Sequence, residues 1–547
     1  MAVIEIEKAD LESLVGKKLT EKDYKERIPM IGCPLEKMDN KKVWYEIFPN
    51  RPDMLAVEGF ARAVRHFFGI SKPNLAYPVD FMKAEIIVDS SVKTVRPEIC
   101  AAILKNVQLT DSLIASLMQA QEKIHETFGR KRTKVAIGVH DVSNIVWPLR
   151  YKAVPPSTVS FIPLNSEKQM NLYEICKQHP KGIEYGWILK KSNFWPVIFD
   201  AKDRVISFPP IINSNLTKVK EDTKNILVEV TGMHPLATKL ALNILVTAIY
   251  ERGCKIEAVK IGEKWTPDLE PKKMKIDIGY VNKLLDLDIK EWELKPVLQK
   301  MGLEWEDGHV LIPPYRADIM HEIDIVEDIA IGWGYERFEP KLPHIQTIAK
   351  RDERNEIIAF LKEILIGFGL QEVTGMILTN EKSEFKMMER SESKTCQTAN
   401  PLSSECTICR KSILPSLLKV LSQNRHYPFP QNIFEIGDVL IPDKEIMQRK
   451  KLAVAISDER INYYQIANIL SSFMKNIGIE YEIRETKDSS FIKGRTGAIF
   501  IFKTQIGLIG EINPAVLENW KICTPVAAFE IDLEKIIDYL ASQPKIL

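Results

Sequence analysis

No run of apolar residues in this chain is long enough to cross a bilayer, and no basic segment followed by an apolar one marks its N-terminus. Neither a membrane span nor a secretory leader is expected. Cysteine is sparse: eight thiols in 547 residues, at positions 33, 100, 176, 254, 396, 406, 409 and 523, with no framework spacing. That argues against a disulfide-stapled secreted module. Cys406-Thr407-Ile408-Cys409 is a C-x-x-C, but with no second pair or nearby histidines its cysteines read as small apolar packing residues. Net charge is nearly absent too, 75 Lys and Arg standing against 74 Asp and Glu, a balance of +1. A globally cationic nucleic-acid binder is thereby excluded, and any such contact must come from local basic patches. The expected setting is the cytoplasm, with reduced thiols.

What is present is ordinary for a globular protein: 45% hydrophobic and 27% charged residues. At 547 residues the chain is too long for one core, so three or four domains are expected. In residues 1 to about 80, Ala2-Val3-Ile4-Glu5-Ile6 alternates like a strand, and Asp10 suits a helix cap. Trp44 to Phe48 reads as a strand. Asn50-Arg51-Pro52-Asp53 makes a turn before an amphipathic helix carrying Val57, Phe60, Ala61, Val64 and Phe67. From about 85 to 262, Asp111 is placed as the cap of a helix that Gly129 closes. The cluster Arg130-Lys131-Arg132-Thr133-Lys134 suits either RNA phosphates or the dipole at that helix's C-terminus. Lys134 to Asp141 reads as a buried strand ending in His140 and Asp141. In Thr223 to Gly232, Glu229 and Thr231 stand two apart and share one face while Val228 and Val230 take the core face. On pattern alone that is a half-exposed polar strand face.

Residues from about 270 to 345 hold two short helices, Tyr280 to Leu285 and Trp292 to Met301, then a strand at Val310-Leu311-Ile312. An acidic helix follows. Its apolar residues Ile319, Ile323, Val326 and Ala330 recur at helical spacing, predicting one buried stripe. Asp324 and Asp328 lie one turn apart on another face, with Glu327 beside them and Asp318 near the start. Crowded carboxylates repel unless neutralised, so the spacing suits a hard cation such as Mg²⁺; a solvated acidic face is the alternative. Gly332-Trp333-Gly334-Tyr335 reads as the helix exit. From about 350 to 547 the chain opens with a helix bearing Ile357, Ile358, Leu361, Ile364, Leu365 and Phe368, expected to pack on two sides. Short strands and turns of an α+β unit follow.

Several strings carry a resemblance. Arg316 to Phe338, RADIMHEIDIVEDIAIGWGYERF, resembles the R-x-D-I…E-x-D-l-I-E-D-I…Y-G-Y segment of the phenylalanyl-tRNA synthetase β-subunit family. NRPDMLAVEGFARAVRHFFG, from Asn50, resembles a second signature of that family. SFPPIIN from Ser207 and TKNILVEVTG from Thr223 resemble the editing domain of its archaeal and eukaryotic type. PLSS, RKSILPSLL, NIFEIG, GRTGA, GLIGEINP and PVAAFEI resemble its catalytic-like module in order.

The resemblance implies an α+β multidomain chain. It comprises an N-terminal α/β domain (1–80), an editing domain (85–262), a small winged-helix-like domain with a Mg²⁺-binding helix (270–345) and a class II synthetase-like antiparallel sheet with helices (350–547). It assigns Mg²⁺ to Asp318, Asp324, Glu327 and Asp328, near the contact with an α subunit. In the editing domain, Glu229 and Thr231 are the leading pocket candidates, with Ser207, Asn213, His140 and Asp141 shaping the site. The chain begins at Met1-Ala2-Val3 with no tRNA-binding barrel and ends at Leu547 with no anticodon-binding domain after Ile531, as expected for the archaeal or eukaryotic type. Class II synthetases bind ATP through F-R-x-E and G-x-G-x-x-R motifs. Asn432-Ile433-Phe434-Glu435 lacks the arginine, and Gly332-Trp333-Gly334-Tyr335-Glu336-Arg337 precedes the module instead of ending it. Without an arginine clamp the reacting phosphates lose their main electrostatic stabilisation, so the aminoacylation site is expected in the α subunit. The expected function is the β chain of phenylalanine–tRNA ligase in an α₂β₂ assembly acting on tRNA(Phe), with no membrane or DNA partner. A freestanding, non-catalytic binding or regulatory paralogue is the alternative.

Overall fold

The computed structural model describes residues 2–343 and 347–543, with the side chain of Met82 not included. The outer limits of the expected domains, at residues 1, 344–345 and 544–547, lie outside the described residues. The chain divides into two compact units, 1–342 and 343–547. Each is a mixed α+β structure. Among the described residues no helix is long and apolar enough to cross a membrane.

In the first unit, Ala2–Glu7, Lys42–Ile47 and Leu35–Met38 form an antiparallel sheet with Lys42–Ile47 at its centre. Alternation decides the faces: Ile4, Ile6, Val43, Tyr45 and Ile47 point inward. Helix Val57–Phe67 covers that face. Its Gly59 approaches so closely that a Cβ would run into the carbonyl oxygen of Asp53, which explains a glycine in a helix otherwise built of larger residues. Helix Lys8–Val15 starts two residues before Asp10, with Glu7 at the cap position. Asp10 does not cap; it receives both terminal nitrogens of Arg252 at 2.7 and 2.8 Å.

Ten strands form the large sheet of this unit. Its path runs Ile212–Asn213, Val205–Phe208, Trp195–Phe199, Leu149–Val154, Val79–Val88, Lys255–Ile261, Glu98–Lys105, Ile226–Gly232 and Val135–Asp141, with Lys264–Thr266 pairing alongside Lys255–Ile261. The sheet therefore begins before residue 85 and ends after 262. The two strands at the ends of the path also approach each other, Asn213 Nδ2 donating to the Val139 carbonyl at 3.2 Å. Helix Pro235–Tyr250 packs on one face, and Val228, Val230, Ala102 and Leu104 share a single apolar cluster with Leu242, Leu245, Phe60 and Tyr45. The expected division between residues 80 and 85 thus runs through one continuous core. Helix Asp111–Glu126 is capped by Thr110, whose Oγ1 accepts the Leu113 N–H at 3.2 Å, so Asp111 is the first helical residue and not the cap.

The rest of the first unit has a small antiparallel sheet, Lys272–Lys275, His309–Ile312 and Glu304–Glu306, with His309–Ile312 central. Helices Ile278–Leu285, Glu291–Lys300 and Glu322–Trp333 cover it, around Val281, Leu294, Leu298, Ile312, Ile325 and Ile329. The acidic helix begins at Glu322, so Ile319 is buried ahead of it and not on it. The buried face is Ile325, Val326, Ile329 and Ala330, while Ile323 is 43% exposed. The helix ends at Trp333, with Gly334 at φ 105°, where the glycine-rich exit was expected.

In the second unit a seven-stranded sheet runs Gln371–Glu372, Gln431–Pro442, Ile446–Ser457, Val526–Asp532, Thr504–Ile512, Phe491–Ile501 and Glu482–Glu485. All neighbours are antiparallel except the first pair. Phe434, Val454, Phe529 and Ile509 face helices Glu353–Gly367 and Tyr463–Asn476, while Ala455, Ala528 and Ile512 face Leu414–Gln423. Helix Glu353–Gly367 buries Leu361 and Leu365 but leaves Phe360 and Ile366 half-exposed, so within this unit it packs on one side rather than two.

Candidate functional site

The strand Ile226–Gly232 lies between Glu98–Lys105 and Val135–Asp141, and all seven of its residues are buried. This corrects the expectation of a half-exposed strand face. Val228 and Val230 enter the main core, as the alternation required, whereas Leu227 joins a second cluster with Ala101, Ile103, Tyr151 and Ile206. Glu229 follows on the Leu227 side and is only 3% exposed. A buried carboxylate needs partners. Ser207 Oγ donates to Glu229 Oε1 at 3.0 Å, and His140 Nε2 stands 3.8 Å from that same oxygen. The other carboxylate oxygen, Oε2, and His140 Nε2 have no hydrogen-bond partner among the described residues. His140 is oriented from its far side by Thr217, Nδ1 and Oγ1 being 2.8 Å apart. Asn213 closes the group, its Oδ1 3.3 Å from Ser207 Oγ while its Nδ2 bonds the Val139 carbonyl.

Space for this group is made by a missing side chain. Gly138 stands opposite Glu229 in the sheet register. A Cβ there would run into Glu229 Oε1 and lie 2.7 Å from His140 Nε2. Four of the six candidate pocket residues, Glu229, Ser207, Asn213 and His140, are therefore brought together. Thr231 sits beside them but is occupied: Arg96 Nε donates to its Oγ1 at 2.9 Å and Arg96 Nη2 to its carbonyl at 2.7 Å. Asp141 is excluded by strand alternation, since it points away from His140, accepting the Ser143 N–H and the Thr223 hydroxyl. Burial tends to raise its pKa, but those hydrogen bonds hold the carboxyl below the usual range. The basic cluster before this strand splits likewise. Arg130 and Lys131 are exposed, but Arg132 is buried, donating to the carbonyls of Pro210 and Ile211 and to Glu122.

Comparison with known proteins bears on this geometry. Residues 131–264 match the B3/4 domain family, 274–335 the tRNA synthetase B5 domain, and 339–533 the phenylalanyl tRNA synthetase beta chain CLM domain. The phenylalanine–tRNA ligase beta subunit of Archaeoglobus fulgidus is 41% identical, covering 98% of this chain and 99% of its own length. That of Pyrococcus abyssi is 38% identical over 98% of this chain and 100% of its own. The chain belongs to the phenylalanine–tRNA ligase β-subunit family. In three dimensions it is similar to the crystal structure of an N-terminal fragment of the phenylalanyl-tRNA synthetase beta subunit from Pyrococcus horikoshii. The TM-score is 0.58 at 37% identity, covering 61% of this chain and all of that one.

Family resemblance implied Mg²⁺ at four carboxylates, and here the residues do not fit as a set. Arg316, itself buried, occupies two of them: its Nε and Nη2 clasp Asp318 at 2.9 and 2.7 Å, and Nη2 also reaches Asp328 at 2.7 Å. Asp324 closes the helix N-terminus, its Oδ2 accepting the N–H groups of Met320 and His321 at 2.8 Å each. Glu327 points to solvent. A hard cation needs convergent oxygens with free lone pairs; among the described residues no group of three or more His, Cys, Asp or Glu is arranged to hold a metal. Two of the four carboxylates are thus neutralised by Arg316, two residues before the first aspartate. Asp324 and Glu327 border an apolar depression with Leu284, Ile323 and Tyr335.

Proposed function

We propose that the chain is the non-activating half of a phenylalanine–tRNA ligase. It joins an α subunit that charges tRNA(Phe) with phenylalanine using ATP, and it clears tyrosine from mischarged tRNA at the Glu229 cluster. The observation that carries this reading is a buried carboxylate with one oxygen unpartnered, opposite a glycine, within the B3/4-matching segment. Tyrosine differs from phenylalanine by one hydroxyl, and an apolar pocket rejects an added hydroxyl by only about 10²-fold. A second site can invert the selection. Glu229 Oε2 accepts the phenol O–H, while Ser207 fixes the other oxygen and Thr217 fixes His140. When phenylalanine enters, the buried acceptor stays unpaired, which disfavours it by a further large factor.

The second unit supports the division of labour. Glu435, where an ATP-binding motif would need a neighbouring free arginine, is closed off: Arg410 Nη2 donates to it at 2.6 Å and the Gly375 N–H at 3.1 Å. The chain alone should therefore show no ATP–pyrophosphate exchange with phenylalanine, and exchange should appear on adding an α subunit. Exchange by the purified chain would overturn this reading. The assembled enzyme should deacylate tyrosyl-tRNA(Phe) much faster than phenylalanyl-tRNA(Phe). Whole-length identity to named β subunits disfavours the freestanding paralogue. The depression beside Asp324 and Glu327, with exposed Ile323 and Tyr335, is the surface proposed for the α subunit. A cytoplasmic setting is in keeping with eight free thiols.

Gly138 gives a separate test of the site. Gly138→Ala must displace Glu229 or His140, and a shift near 1 Å at a reacting site costs on the order of 10²-fold. Tyrosyl-tRNA deacylation should fall by about that factor while phenylalanine charging holds. Wild-type deacylation in the variant would place the hydrolytic pocket elsewhere.

A further inference from the structure

The second unit contains a cavity of about 330 Å³, toward the smaller end of ligand pockets. Its lining includes the apolar side chains of Leu414, Phe491, Ile506 and Leu508. Charged groups line it as well, and most of them are already satisfied. Glu530 accepts the Ser412 hydroxyl, the Ile413 and Leu414 N–H groups and Lys451 Nζ. Lys411 Nζ donates to Ser393 Oγ and the Lys394 carbonyl.

Asp488 also lines the cavity and accepts the Ser490 N–H, and two further groups keep capacity to spare. Glu384, only 2% exposed, accepts the Lys411 N–H through Oε1, while its Oε2 has no partner among the described residues. Arg390 donates from Nε to Ser490 Oγ at 2.8 Å, and its charge acts on the carboxyls of Glu384 and Glu530 with no hydrogen bond to either among the described residues. A buried carboxyl oxygen without a donor is costly unless something supplies one. A guanidinium at the same cavity is a fork for a carboxylate. Lining charges of both signs favour a zwitterion over a polyanion, and the apolar lining residues suit a hydrocarbon side chain.

We propose that this cavity is a binding site for a free α-amino acid with an apolar side chain, its carboxylate on Arg390 and its ammonium on Glu384. The site is distinct from the Glu229 cluster and does not depend on that cluster's role. Binding is non-covalent.

Equilibrium dialysis of the full-length chain tests this with labelled L-phenylalanine and L-leucine, set against 3-phenylpropionate, which lacks the ammonium, and phenethylamine, which lacks the carboxylate. One equivalent of amino acid should bind. Each truncated analogue should bind at least about tenfold more weakly, as should the amino acid to Arg390→Ala or Glu384→Gln, the effect of losing one charge-assisted hydrogen bond. Glu229→Ala should leave this binding intact. If Glu384→Gln fails to fold, Arg390→Ala, at a partly exposed side chain outside the core, carries the same test. No saturable binding, equal binding of the analogues, or loss in Glu229→Ala with none in Arg390→Ala overturns the proposal.

Discussion

Arg316→Met is expected to destabilise the first unit by about 3–5 kcal/mol, the cost of stranding a buried charge by removing its partner. Arg316 is fully enclosed and makes three hydrogen bonds to the two aspartates and a fourth, from Nη1, to the Met301 carbonyl at 3.0 Å. Only a guanidinium has enough donors in a fixed fork to satisfy both carboxylates at once, so lysine should not substitute. Arg51 helps electrostatically but is committed to Asp53 through two bonds of 2.9 Å. The loss should depend on pH in a definite sense. Burial pushes the Asp328 carboxyl up to about 6 even with Arg316 and Arg51 pulling down, while for Asp318 burial is outweighed by Arg316 and the pKa lies below the usual range. Without Arg316 both move upward. A carboxyl with a higher pKa folded than unfolded favours the fold while protonated, and that contribution fades as pH rises through the folded value. The variant's deficit should therefore be largest near about pH 8 and shrink toward about pH 5. Denaturant melts at both pH values measure it, and adding Asp328→Asn should recover part of the loss at the higher one. A deficit below about 1 kcal/mol at the higher pH, or one that does not shrink toward the lower, would mean the cluster behaves like an exposed ion pair.

That cluster also shows what a sequence can and cannot disclose. Spacing along a helix says which carboxylates share a face, but not what neutralises them. Arg316 lay in the same string as the acidic residues, yet an arginine at i−2 in a loop has no fixed direction until the chain packs. Metal and guanidinium therefore satisfy the same linear pattern, and spacing alone does not tell them apart. The strands were legible where alternation was clean, as in Val228–Val230 and Ile4–Ile6, because period two is a local property. Register is not local. Glu229 meets Gly138 across one ladder, and Ser207 and Asn213 arrive from the other end of the sheet path, so four residues converge that no spacing joins. Thr217 and Arg96 had no sequence signal: one is a hydroxyl in a short turn, the other an arginine before a proline. Gly138 was visible as a glycine inside a strand, a usual sign of close approach, but what approaches it is set by the register.

Glu229→Ala is expected to lower deacylation of tyrosyl-tRNA(Phe) by about 10²-fold or more while charging with phenylalanine stays unchanged. The magnitude follows from the asymmetry of recognition. Deleting an acceptor that a buried phenol needs leaves that hydroxyl unsatisfied at roughly 1–3 kcal/mol, and more when the acceptor is charged. Sites built to bond a substrate hydroxyl discriminate by up to 10⁴–10⁵-fold for the same reason. Selectivity should change along with rate, because without Glu229 phenylalanine no longer leaves a buried carboxylate unpaired on entering. The ratio of tyrosyl- to phenylalanyl-tRNA hydrolysis should thus collapse, a result that mere unfolding of the domain would not give. Glu229→Gln separates charge from shape: it keeps an acceptor beside Ser207 Oγ but loses the charge, so it should retain an intermediate rate. The assay is single-turnover hydrolysis of preformed tyrosyl-tRNA(Phe) by the assembled enzyme, with phenylalanine charging measured on the same preparation. Hydrolysis at the wild-type rate and ratio in Glu229→Ala would reduce the residue to a buried partner of Ser207 and His140.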